Sequence, residues 1–206
     1  QVALQNPLID FDRLLVVKRG IGSPALGLPQ NWQSNCVLPA NGFDDEIATL
    51  SLDDTTGELE TLYRPEGPHF VGDVDLHFDG DRLLFSSIGE HDKWHVFEVR
   101  TDGTGLRQVT PSLTDVHNYD ACYLPDGGII FSSTASMAAV PCVNGSTRVA
   151  NFYRIDPDGT IRQLCFDQEH NWCPVVQESG RVMYLRWEYT DIPHVWGRYL
   201  FTMNPD

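Results

Sequence analysis

At 206 residues, 41% of them hydrophobic, the chain is long enough to bury a real core. A net charge of -15, with Lys18 and Lys93 as the lysines, leaves no positive field to hold a phosphate backbone, so no nucleic-acid partner is expected. No run approaches the ~20 apolar residues of a membrane-spanning helix, so no membrane span is expected either.

Taken in chain order, the first pattern is Phe11-Asp-Arg-Leu-Leu-Val-Val17, which reads as an inner strand. Two further strands, Ile47 to Leu52 and Glu58 to Tyr63, flank the turn Asp53-Asp-Thr-Thr-Gly57. A stronger unit follows. Asp73-Val-Asp-Leu-His-Phe-Asp79-Gly80-Asp-Arg-Leu-Leu-Phe85-Ser-Ser reads strand, tight turn, strand, because the glycine supplies the positive φ that a two-residue hairpin requires. Val96 to Val109 is a second hairpin around Asp102-Gly103. Both return further on, around Asp126-Gly127 and Asp158-Gly159, and again more faintly around Ser179-Gly180 and at Leu200 to Asp206.

Four strands repeated every ~45 to 50 residues mark blades arranged around an axis, since one such sheet cannot bury both of its faces alone. The fold expected is all-β: a β-propeller of four-stranded antiparallel blades, as an incomplete segment with about four blade-like repeats. One domain spanning 1–206 is expected, with blades near 8–64, 65–110, 111–166 and 167–206, the last one truncated. The ends of such an arc would need further blades or a partner to cover them.

With the strands of a blade lettered A to D from the axis outwards, the short A–B and C–D turns lie on one face of the disc. The B–C and D–A connections lie on the other. The long insertions 18–46, 134–150 and 185–199 are all B–C loops, and long connections concentrated on one face mark it as the working surface. Histidines follow them: His69, His117 and His170 fall in D–A connections, His91 and His194 in B–C loops, and His77 off that face.

His117-Asn118 and His170-Asn171 hold equivalent places just before an inner strand. Imidazoles there can bind a divalent metal or move protons, or they can cap the turn by bonding to backbone. The densest group of capable side chains is Arg186, Trp187, Glu188, Tyr189, Asp191 and His194. It suits sugar stacking, carboxylate binding or acid–base work, or equally a structural loop in which Arg186 pairs with Glu188 or Asp191 and Trp187 fills the space between blades.

Five cysteines form neither C-x-x-C nor C-x-x-C-H, which excludes a zinc knuckle and covalent haem attachment within these residues. They read as buried thiols or as disulfides of an exported protein. Cys165 and Cys173 flank one D–A connection and are the candidate bridge. The first residues show neither a basic nor a long apolar region, so no secretion signal is expected in this stretch.

The spacing of Asp73 from Asp79-Gly80, matched by Asp120 and Asp126-Gly127, resembles the blade signature of the Tol-associated (TolB-like) propeller repeats. YDACYLPDGGIIFSSTA, IRQLCFDQEHNWCP, GRVMYLRWEYTDIPH and LFTMNPD are similar to the propeller part of bacterial proteins related to the hydrazine synthase alpha subunit, over roughly residues 70–206. That resemblance implies a periplasmic or extracellular protein in which a propeller accompanies haem-bearing domains elsewhere in the chain. It transfers no catalytic residue. The expected function is a non-catalytic scaffold or docking module contacting other domains or subunits. The alternative is a propeller polysaccharide lyase or carbohydrate-binding module using His, Tyr and Arg of the long-loop face, with Trp32, Trp187 or Trp196 as stacking surfaces.

Overall fold

The computed structural model describes residues 6–24, 41–52, 57–139, 148–188 and 197–206. Among these residues the chain forms four antiparallel sheets that follow one another in sequence, and the fold is a β-propeller. The first sheet holds β1 (Arg13–Lys18), β2 (Glu46–Ser51) and β3 (Leu59–Tyr63). The second holds β4 (Val71–Leu76), β5 (Arg82–Ile88), β6 (Trp94–Arg100) and β7 (Arg107–Gln108). The third holds β8 (Asn118–Tyr123), β9 (Ile129–Ser133), β10 (Asn151–Ile155) and β11 (Ile161–Gln163). The fourth holds β12 (Asn171–Val176), β13 (Val182–Trp187) and β14 (Arg198–Met203).

One strand changes its place in the blade. The sequence pattern makes residues 11–17 an inner strand, but β1 pairs with β2 as β5 pairs with β6: Arg13 faces Ser51 where Arg82 faces Arg100. β3 then continues outwards as β7 does, with Thr49 on Glu60 where Glu98 meets Arg107. β1 is therefore a B strand. The run Asp12-Arg-Leu-Leu15 repeats Asp81-Arg-Leu-Leu84, and hydrophobicity alone does not separate strand A from strand B when both are buried.

The short turns share one geometry. Gly80, Gly127 and Gly180 have φ of +69°, +87° and +81°, and each N–H closes onto the carbonyl three residues back: His77, Leu124 and Gln177. The third copy carries Ser in place of Asp and folds identically, because the turn depends on the glycine.

Packing within the sheets repeats as well. Phe85 faces Phe97, Phe131 faces Tyr153 and Tyr184 faces Phe201 across neighbouring strands, with ring centroids 5.7, 6.0 and 5.9 Å apart. Burying one such ring is worth about 2–3 kcal/mol, and the cross-strand pairing adds about 0.5 to 1. The apolar clusters lie between successive sheets, as where Leu84 and Val96 meet Ala121 and Phe131. β8 packs against both β4 and β12, so the inner strands stand side by side and line the axis.

Candidate functional site

Both candidate histidines are committed to the framework. His170 is fully buried, and its Nδ1 accepts the Ala150 N–H at 3.1 Å. Its ring stacks on Trp172 and Trp187, with centroids 4.8 and 5.7 Å away. His117 Nδ1 accepts the Trp94 N–H at 3.3 Å. Ala150 precedes β10 and Trp94 opens β6, so each imidazole ties a D–A connection to the C-strand entry of the preceding blade. Burial holds His170 down at about 3 and His117 at about 4, which keeps both rings neutral acceptors.

Arg186 is equally engaged. It donates to Asp167 at 2.7 Å, pairs with Glu188, and lies over the Phe201 ring at 5.3 Å. Trp187 is 1% exposed and belongs to an apolar cluster with Phe43, Phe70, Trp94 and Trp172. Glu169, which sequence reading passed over, brings a buried carboxylate to 4.0 Å from Arg186, and burial pushes its carboxyl up. Tyr189, Asp191 and His194 lie outside the described residues, as do Trp32 and Trp196. Of the expected cluster the structure thus brings His170 and Trp187 together, with Arg186 paired to Glu188.

The expected bridge between Cys165 and Cys173 is not made; both are free thiols. Cys165 packs between the third and fourth sheets with its sulfur 3.8 Å from Met203 Sδ, whereas Cys173 lies on the innermost strand. The D–A connection carries the chain back across the width of a sheet. Strands ~4.8 Å apart take two residues at its ends beyond the ~7 Å Cα separation a disulfide tolerates.

A second constellation lines the axis. β4, β8 and β12 each bulge at the same point, where register slips between Gly72 and Asp75, Tyr119 and Ala121, and Trp172 and Val175. The bulged residues are Asp73, Asp120 and Cys173, all in left-handed backbone with φ of 49°, 54° and 53°. Three equivalent bulges aim polar side chains from inner strands towards their neighbours. Asp120 Oδ2 accepts the Cys173 N–H at 2.5 Å, and Asp75 Oδ2 accepts the Tyr123 N–H at 2.9 Å. The repeat marked these positions as the first residue of each copy. It did not show that they reach across blades.

A third grouping, His77, Asp79 and Asp81, has metal-ligating atoms within 4.8 Å of one another on the short-turn face. Arg82 already supplies positive charge there, with Nη2 at 2.5 Å from His77 Nε2 and Nη1 at 2.9 Å from Asp81. No haem-attachment motif accompanies Cys122, Cys165 or Cys173, the cysteines among the described residues.

No family model matches the chain, and no curated protein does. Solved propellers do. Hydrazine synthase of Kuenenia stuttgartiensis superposes with a TM-score of 0.68 at 16% identity, over 94% of this chain and 30% of that one. A TolB-type protein of Agrobacterium tumefaciens gives 0.57 at 16%, over 79% and 53%. Oligogalacturonate lyase of Vibrio parahaemolyticus gives 0.52 at 14%, over 79% and 47%. The chain spans about half of the TolB-type chain and under a third of hydrazine synthase. At such identities the likeness carries the fold, a TolB-like propeller.

Proposed function

We propose that this chain is a non-catalytic propeller module, a scaffold or docking surface within a larger exported protein related to the hydrazine synthase alpha subunit, any haem being borne outside these residues. The observation that carries the reading is the use made of the capable side chains. His117 and His170 spend their Nδ1 acceptors on backbone N–H groups, and Arg186 is held by Asp167 and Glu188. A lyase needs an accessible base and a cation open to a uronate carboxylate. Those groups serve packing instead.

The surface offered for docking is the outer face of the fourth sheet. Val182 and Tyr184 point towards the third sheet, so Met183 and Leu185, with their cross-strand partners Val175 and Leu200, face away from it. Val175 is 44% and Leu200 68% exposed. The partner this face suits is another antiparallel sheet laid on it as the described sheets lie on one another. Similarity to hydrazine synthase over nearly the whole chain supports a setting of this kind, and the TolB-type likeness supports export to the periplasm.

Replacing Val175 and Leu200 by Lys in the native assembly tests the docking reading. The far-ultraviolet dichroism of the chain should persist while native mass measurement shows the assembly falling apart; an intact assembly would overturn it. Unsaturated uronate released from polygalacturonate by the unaltered protein, with or without Mn²⁺, would overturn the non-catalytic reading and favour the lyase.

A further inference from the structure

The axial bulges form a relay that links three successive blades. Asp73 accepts from the Ser86 hydroxyl, and Ser86 Oγ in turn accepts the Asp120 N–H at 2.8 Å. Asp120 accepts both the backbone N–H and the thiol of Cys173. Each acceptor therefore secures the bulge of the next inner strand. We propose that Asp73 and Asp120 work as a proton-operated latch between the second, third and fourth sheets: one proton held by the pair spares the hydrogen-bonded bulges from repulsion, and its loss sets two like charges against each other.

The surroundings favour retention of the proton. Burial among the inner strands, then the charge of Asp73, hold Asp120 up at about 7. Asp73 is raised by burial too, while Ser86 and Arg19 act the other way. Arg19 is shared, because it pairs with Asp45 at 3.0 Å and lies over Phe70 at 5.0 Å. Asp73 is crowded by the inner strands yet keeps contact with solvent, which screens part of the repulsion.

The other elements packed on the pair add no cation at Asp120 among the described residues. β4 contributes Asp75, bonded to the Tyr123 N–H, and β6 contributes Glu98, bonded to the Tyr123 hydroxyl. Arg82 of β5 lies over the Tyr123 ring at the far end of β8. β9 is uncharged from Ile129 to Ser133, and the Cys122 and Cys173 thiols are pushed up by burial and stay neutral.

The sign follows from which state binds the proton. The folded pair keeps it up to about pH 7, whereas an unfolded Asp releases it near ~4, so stability falls as pH rises through that window and is fully present below it. His117 and His170 impose the opposite slope below ~6.5, so the difference between the protein and its variants is the quantity to read.

The test combines carboxyl carbon NMR titration of the unaltered protein with unfolding midpoints of Asp73→Asn and Asp120→Asn against pH. Asn tolerates left-handed backbone and keeps an acceptor for the Cys173 N–H. Asp120 should titrate near neutrality, and in Asp73→Asn its midpoint should drop by at least ~1 pH unit. Asp120→Asn should gain on the unaltered protein as pH rises from ~4 to ~7 and keep a constant advantage above that. An Asp120 titrating in the ordinary carboxylate range, or parallel midpoint curves, overturns the latch. The NMR arm decides alone if either variant fails to fold.

Discussion

His170 is where packing and ionisation can be separated by substitution. His170→Ala removes a ring lying between Trp172 and Trp187 and leaves the Ala150 N–H without its acceptor. Loss of a fully buried ring costs about 3 kcal/mol and an orphaned buried N–H about 1 more, so unfolding free energy should fall by roughly 4 kcal/mol. His170→Phe keeps the stack and loses the acceptor for the Ala150 N–H, for about 1–2 kcal/mol near neutrality. The unfolded chain protonates His170 near 6.5 and the folded one at about 3. A depressed base of this kind stabilises the fold above ~6.5 and loses that contribution as pH falls, by ~1.4 kcal/mol per pH unit. The Phe variant lacks the titration, so its deficit against the unaltered protein should shrink by about 2 kcal/mol between pH ~6.5 and ~5. Urea unfolding followed by tryptophan fluorescence at both pH values measures this. A cost below ~0.5 kcal/mol for the Ala variant, or a deficit independent of pH, would refute the reasoning.

Arg154→Met should destabilise by about 2–4 kcal/mol, because Arg154 is 5% exposed and holds Asp126, Asp156 and the Pro205 carbonyl. Since Arg154 also keeps the Asp126 carboxyl below its usual range, the loss should fade as pH drops through ~4; a variant as stable as the parent at neutral pH contradicts this network. Cys173 should react slowly with iodoacetamide at mildly alkaline pH although part of it meets solvent, because crowding of its sulfur by the inner strands and the Asp120 and Asp73 charges push its thiol up to about 12. Peptide mass analysis checks this, and labelling at the rate of a free peptide thiol counts against the axial geometry. The same digest should show Cys165 and Cys173 as separate thiols rather than one bridged peptide.

Strand and turn identities were legible in the chain because they are local. Asp-Gly and Ser-Gly between apolar runs specify a hairpin through one positive-φ glycine, and that requirement holds wherever the hairpin ends up. Phe85, Phe131 and Tyr184 likewise recur at one blade position, and each meets an aromatic partner across the neighbouring strand. The histidines show where local reading stops. His170-Asn171 is compatible with a metal ligand or a backbone cap, and the choice lies with Ala150, Trp172 and Trp187, brought around the ring by sheet stacking. Cys165 and Cys173 look adjacent in sequence, yet one faces the space between sheets and the other the axis. Asp73 and Asp120 are 47 residues apart and become neighbours through bulges and blade-to-blade packing. Alternation and turn chemistry act over a few residues and are written in the sequence. Burial, like-charge proximity and hydrogen bonds across blades depend on which surfaces meet, and only the tertiary structure decides that.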